Sequence, residues 1–226
     1  MSDIILIPAY KPDNKLLKLI QSLKKIKNVE IAIIDNGNEA KYNELFDVIE
    51  NEYKVRIIRV IKNKGKGYGI KFGINYLLKN SIDFKNLIFA DADGQHTFSD
   101  ISKIIDACKK SDMTNKFIIG NRIHSSRTPY KNLIGNKIFN FLMKKLKKIY
   151  HNDCLCGLRA ISSINSSLLL QVPENGFDFE ITSIYHLISK KIILGEVIIP
   201  ATYHDNHKSH FNNWMHSLQL IKLLFK

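Results

Sequence analysis

Residues 90–96 read Ala-Asp-Ala-Asp-Gly-Gln-His and close the apolar run Leu87-Ile88-Phe89-Ala90, so Asp91 and Asp93 stand at i and i+2 with Gln95 two residues on. Several hard oxygen ligands at that spacing suit Mg²⁺ or Mn²⁺. Such ions keep few protein carboxylates and take their remaining ligands from phosphate and water, so the motif reads as a place where a metal carries a diphosphate. An isolated Asp-x-Asp is usually a solvated turn or a helix cap. Here the pair ends a hydrophobic strand, stands beside Gly94, where the backbone can come close, and is partnered by the Gly65-Lys66-Gly67 turn one crossover earlier.

Groups of this kind need strands that end together. Asp3–Ala9 is a continuous apolar run that suits a strand buried on both faces, and Leu16, Leu19, Ile20 and Leu23 then recur at helical spacing behind Asp13, an N-cap. Strands at Val29–Ile34, Val55–Ile61 and Leu87–Ala90 alternate with helices at Ala40–Tyr53 and Gly67–Lys79. Strand, helix, strand at this spacing predicts right-handed crossovers and a mostly parallel sheet. In such a sheet ligands bind beyond the carboxyl ends of the strands. The residues there are Pro8-Ala9-Tyr10, Asp35-Asn36-Gly37, Asn63–Gly67 and Asp91–His96. The Gly-Lys-Gly turn lacks the spacing of an ATPase phosphate loop, and it opens the third helix, where a dinucleotide fingerprint would open the first.

The second half is less regular. A helix at Asp100–Lys110 and a strand at Phe117–Gly120 lead into a Pro- and Ser-bearing loop over residues 123–132. A helix over Leu133–Tyr150, a strand at Leu158–Ser162, a helix at Asp178–Lys191, a strand at Val197–Ala201 and a helix at Asn213–Phe225 follow. Residues 131–150 hold six Lys and no acid, with Ile134, Ile138, Phe141 and Leu142 among the apolar positions. That profile fits a helix in a membrane interface and equally a core-facing helix with a solvated Lys face. The acid-free segment 206–226 is a second interface candidate. His204, His207 and His210 recur every third residue but have no carboxylate or Cys cluster beside them apart from Asp205, so they do not read as a zinc site.

Composition bounds the function. The 226 residues carry 34 Lys plus Arg against 21 Asp plus Glu, a net charge of +13, which by itself proposes nucleic acid, an anionic membrane or a phosphorylated substrate. Only five of the basic residues are Arg. Proteins that read bases favour the bidentate guanidinium, and no helix-turn-helix or aromatic-interleaved signature is present, so a basic nucleic-acid-binding module is the weakest of the three. The three cysteines (Cys108, Cys154, Cys156) have no redox or zinc spacing. With a short apolar N-terminal run behind Asp3 and no membrane-length span, the expected location is cytoplasmic, peripheral on the inner membrane face and not secreted.

Taken in order, these motifs resemble the family 2 glycosyltransferases of the GT-A fold, closest to the polyprenyl (dolichyl) phosphate sugar transferases. The resemblance also draws on Gly120-Asn121-Arg122, on Asp153–Ala160 and on Gly176–Ile181, with Tyr203 a weaker last point. It implies one α/β domain with a nucleotide-sugar-binding half at 1–122 and an acceptor-binding half at 123–226. Pro8, Ala9, Tyr10 and Asp35 would line the base and ribose, and Lys66 would lie near the nucleotide. Asp91, Ala92, Asp93 and Gln95 would hold metal and diphosphate, and Arg122 and Arg159 would approach phosphate groups. Asn36 replaces a common second Asp, which leaves the base, uracil or guanine, open. The implied reaction is an inverting, metal-dependent transfer of one sugar from a nucleotide diphosphate to a lipid phosphate. The alternative acceptor is a saccharide hydroxyl in cell-surface polysaccharide assembly. A lipid phosphate is already anionic; a hydroxyl needs a base, for which Asp153, Asp178 and Glu180 are the candidates.

Overall fold

Four successive side chains, Ile4 to Ile7, are each at most 1% exposed, which a strand can achieve only if both of its faces are covered. In the computed structural model that strand is β1 (Ser2–Ala9), and it lies inside the sheet. It pairs in parallel with β2 (Val29–Asn36) on one side and β4 (Phe84–Phe89) on the other, and β2 pairs in parallel with β3 (Arg56–Val60). The crossovers are α1 (Asn14–Leu23), a 3-10 turn at Ala40–Tyr42 followed by α2 (Asn43–Tyr53), and α3 (Lys66–Lys79). The Asp13 side chain accepts from the Lys15 amide at the start of α1 as an N-cap should. Thr97 and Asp100 form a reciprocal capping box that starts α4 (Phe98–Lys110) directly behind the Asp91–His96 turn.

The structure describes residues 1–123, 137, 139–145 and 148–201. Beyond α4 the chain forms β5 (Lys116–Ile123) and a helix, α5, over residues 139–145. It continues through β6 (Arg159–Ser162), the short α6 (Ser163–Ser166), a 3-10 turn at Ser167–Gln171, α7 (Phe179–Ser189) and β7 (Ile193–Pro200). The seven strands are ordered β3-β2-β1-β4-β6-β5-β7, and β6 runs antiparallel to both of its neighbours. From β1 the chain adds strands first on one side and then, with β4, on the other. The crevice where the order reverses therefore opens between the ends of β1 and β4, between Tyr10 and Asp91.

Several expectations are corrected. The helix expected over Leu133–Tyr150 is helical at 139–145, but residues 148–150 have left it: Lys148 takes φ +54° and Ile149 turns into the core. β7 starts four residues earlier than the apolar pattern indicated, because pairing with β5 from Lys116 carries Gly195 and Glu196 into the strand. The loop at 124–132, the final helix at 213–225, Tyr203 and the three spaced histidines lie outside the described residues. Among the described residues no helix is long and apolar enough to cross a membrane.

One turn depends on glycine. Gly65, just before α3, has φ +110°, and a Cβ there would stand 2.2 Å from the Asn175 carbonyl oxygen. The same segment caps the helix, since the Tyr68 amide donates to Asn175 O at 2.9 Å and the Gly67 amide to Gly176 O at 3.2 Å. Gly65→Ala should therefore cost on the order of 3 kcal/mol, combining a strained φ with a backbone clash. Urea denaturation will measure it; an unchanged midpoint would show that the 173–178 segment is not seated on the turn.

Candidate active site

Lys66 is the first residue of α3, and its ammonium reaches across the crevice to two carboxylates. It lies 2.5 Å from Asp91 Oδ1, just past β4, and 2.7 Å from Glu180 Oε1, in the first turn of α7. The three side chains are 14%, 21% and 12% exposed. Burial pulls the Lys66 amine down, but Asp91 and Glu180 more than reverse it and hold its pKa above the ordinary lysine value. Burial likewise opposes the charged form of Asp91, while Lys66 and His96 hold its carboxyl well below the usual range. His96 Nε2 is 3.3 Å from Asp91 Oδ2. Gly157, from the loop before β6, passes so close that a Cβ on it would stand 2.4 Å from the same oxygen.

The β1 and β2 ends form the opposite wall. Tyr10 is 40% exposed, whereas the Ala9 side chain is buried and only its backbone is offered. Asn38, a residue the motif reading passed over, joins the two strands: its Nδ2 donates to Ala9 O at 2.9 Å and to Asp35 Oδ1 at 2.7 Å, and its Oδ1 accepts from the Lys11 amide. The Asp-Asn-Gly-Asn run carried a signal for this, since an Asp that accepts from the amide three residues on makes a local turn. Asn36 is turned away from the crevice. Its Nδ2 donates to Gly65 O at 3.2 Å, and its Oδ1 lies against Gly69, where a Cβ would be 2.7 Å away.

The sites expected for phosphate and for a general base fall into two further clusters. Arg122 grips Asp153 in a bidentate pair, Nε to Oδ2 at 2.6 Å and Nη2 to Oδ1 at 2.9 Å, with Asp153 1% exposed. The Asp153 amide in turn donates to His151 Nδ1 at 3.1 Å. Arg159 is 4% exposed and directed inward, donating to the carbonyls of Cys154, Cys156 and Glu180 and to Ser183 Oγ. Expected beside a phosphate, its guanidinium instead ties the 154–157 loop to α7. Asp178 precedes α7; its carbonyl accepts from the Thr182 amide and hydroxyl, and its Oδ1 is buried near Gly176. Cys108, Cys154 and Cys156 are free and buried, and burial pushes each thiol up to about 12.

Asp93 and Gln95 share the Asp91 turn, where the Gln95 amide donates to Asp93 Oδ1 at 3.0 Å and Gly94 takes φ +79°. Among the described residues no three His, Cys, Asp or Glu side chains converge as a protein-only metal cage. The donor set nevertheless fits a hydrated Mg²⁺ or Mn²⁺: Asp91 and Glu180 outnumber Lys66 by one formal negative charge, Asp93 adds another, and all are hard oxygen donors. Asp91 Oδ1 is shared with the Lys66 ammonium, so such an ion would rely more on Asp93 and the side-chain oxygen of Gln95.

Known proteins share both the pattern and the architecture. The family model described as "Glycosyl transferase family 2" matches residues 4–164. A UDP-N-acetylglucosamine–dolichyl-phosphate N-acetylglucosaminyltransferase of Methanococcus voltae is 26% identical over 231 residues, covering 93% of this chain and 90% of that one. A dolichyl-phosphate beta-glucosyltransferase of Saccharomyces cerevisiae is 26% identical over 236 residues, covering 89% of this chain and 66% of that protein. In three dimensions the chain is similar to glucosyl-3-phosphoglycerate synthase of Mycobacterium tuberculosis, crystallised with Mn²⁺, UDP and glucosyl-3-phosphoglycerate. The TM-score is 0.73 at 15% identity, covering 99% of this chain and 78% of that one. The fold is the GT-A fold.

The Lys66 triad sets a pH window. Asp91, with a lowered folded pKa, stabilises the fold fully above its unfolded value of about 3.9 and loses that contribution as pH falls; Lys66, with a raised one, contributes fully below about 10.4 and loses it as pH rises. Lys66→Met removes the cation that two mostly buried carboxylates share and should destabilise by about 3–5 kcal/mol at neutral pH. Near pH 3 the deficit should shrink, because Asp91, no longer held in its charged form by Lys66, then takes up a proton. Denaturation of both proteins at the two pH values checks this, and a deficit independent of pH would contradict it.

Proposed function

The chain belongs to glycosyl transferase family 2, and from that membership we propose that it moves one sugar from a nucleotide diphosphate to a polyprenyl phosphate, with inversion at the anomeric carbon. The donor occupies the half at 1–122, its base and ribose between Pro8-Ala9-Tyr10 and Asp35 and its diphosphate at Asp91, Ala92, Asp93 and Gln95. The acceptor half is 123–226. Asp93, Gln95 and Asp91 would hold a Mg²⁺ or Mn²⁺, which would supply neutralisation of the charge on the departing diphosphate. Lys66 adds a positive charge at the same place, held there by its two carboxylate partners. An acceptor oxygen bonds to the anomeric carbon as the bond from that carbon to the diphosphate oxygen breaks.

The observation that carries the acceptor class is how two of the three candidate bases are engaged. Both oxygens of Asp153 face Arg122 and Glu180 faces Lys66, while Asp178 Oδ1 is buried with no hydrogen-bond partner among the described residues and is the candidate base left should the acceptor be a hydroxyl. A sugar hydroxyl needs a carboxylate to take its proton, whereas a phosphate monoester arrives charged and needs only to be held. Arg122, fixed in plane by Asp153, is the residue we assign to holding it, and Arg159 is assigned to positioning the loop that carries Gly157. The archaeal and yeast relatives, by their names, act on dolichyl phosphate.

A lipid acceptor places the enzyme at a membrane surface, and α5 together with Tyr150 beyond its end offers a face for it. Phe141 is 60% and Tyr150 75% exposed, with Lys145 5.7 Å above the first ring and Lys144 5.4 Å above the second. Exposed rings beside lysines suit the headgroup region of an anionic leaflet, where each Lys contributes about 1 kcal/mol.

A panel of UDP- and GDP-sugars with a short polyprenyl phosphate should give metal-dependent transfer from at least one donor. Asp93→Ala should lower it by about 100-fold or more. Transfer only to saccharide hydroxyls would replace the acceptor assignment, and no transfer from any donor would remove the reading. Separately, Phe141→Ser with Lys144→Ser and Lys145→Ser should release the protein from anionic liposomes in co-sedimentation; unchanged binding would exclude α5 as the anchor.

A further inference from the structure

The Asp91 carboxylate is approached from two directions, and the residue facing its far oxygen has no role in the proposed reaction. His96 is 2% exposed, and neither of its ring nitrogens has a hydrogen-bond partner among the described residues. Burying an imidazole in that state is unfavourable, since a leucine of similar size would leave no polar atom unmatched. The group its Nε2 faces is Asp91 Oδ2, 3.3 Å away. Catalytic-site contacts are often long before substrate binds and tighten afterwards.

The geometry around Asp91 gives this contact a purpose. With Oδ1 2.5 Å from the Lys66 ammonium, an unrestrained carboxylate could rotate and share both oxygens with that one cation. Gly157 leaves room for Oδ2, since a Cβ there would stand 2.4 Å from it. His96 is the polar group that meets Oδ2 there. We propose that His96 is a positioning residue whose Nε2–H holds Asp91 Oδ2, so that Oδ1 stays on Lys66 and the carboxylate presents one fixed orientation to the donor diphosphate. The functional half of this inference rests on Asp91 being a donor-site carboxylate; the geometric half does not.

The test reads the two halves separately. Lys66 acetylation by a succinimidyl ester is followed by mass spectrometry against the exposed Lys24, in wild type and in His96→Leu, His96→Asn and His96→Gln, with near-UV circular dichroism as the check on folding. A loosened Asp91 should raise the Lys66 rate by about threefold or more in the Leu and Asn variants, with Lys24 unchanged. His96→Gln, whose amide reaches as far as Nε2, should restore the wild-type rate. In turnover with the best donor, the Leu and Asn variants should lose about tenfold or more in kcat, and Gln should recover most of it. A Lys66 rate that stays at the wild-type value in a folded Leu or Asn variant overturns the proposal. So does failure of all three variants to fold, which would make His96 a packing residue. If the wild type turns over no donor, the transferase reading fails while the acetylation result still decides what His96 does.

Discussion

A single ammonium group, that of Lys66, joins the three parts of the chain from which the crevice is built. It starts on α3, meets Asp91 at the end of β4 and closes on Glu180 in α7, 114 residues away. Charges this far out of water are tolerable only in company, and Lys66 and Asp91 each favour the charged form of the other. The arrangement concentrates charge at the reversal point of the sheet, where an open α/β sheet leaves its crevice. The surrounding backbone is adapted to the triad. Gly65 permits the turn that starts α3 beside the 173–178 segment, and Gly157 lets the loop before β6 pass over Asp91 without a side chain in between.

The two arginines show how similar residues reach different roles through burial. Arg122, at the end of β5, is paired edge-on with one carboxylate and is 18% exposed. Arg159, at the start of β6, is 4% exposed and bonds mainly to carbonyl oxygens, a use that suits five donors in a rigid fork. One is a charged group held at the rim. The other is a tie between loop and helix, and its charge is satisfied by peptide dipoles.

Much of this was legible in the residues because the relevant signals were local. Strand β1 announces itself by its continuous apolar run, α1 by its stripe and Asp13 cap, and the turn that carries Asp91, Asp93 and Gln95 by following a hydrophobic strand. What was illegible was whatever depends on distant partners. Nothing near Lys66 in the chain points to Glu180, and nothing in Arg159 separates a buried clamp from a phosphate ligand. The four residues of β6 are too few to reveal their direction, and Gly195 with Glu196 disguised the first half of β7, since both are poor strand formers. Asn36 is the middle case: its departure from the family pattern was visible, but its bond to the Gly65 carbonyl, which a carboxylate could not donate, was not.

The placement of β6 between β4 and β5 has a consequence for how the molecule comes into being. Strands β1 to β4 and their helices are contiguous in the chain and can pair as they leave the ribosome, each crossover closing a short loop. The sheet cannot be continued past β4 until residue 162 has emerged, because β5 reaches the rest of the sheet only through β6. The amides at the start of α3 wait longer still for Asn175 and Gly176, and Lys66 waits for Glu180. The Lys66 triad therefore cannot close until residue 180 has been made, well after the four parallel strands of the first half.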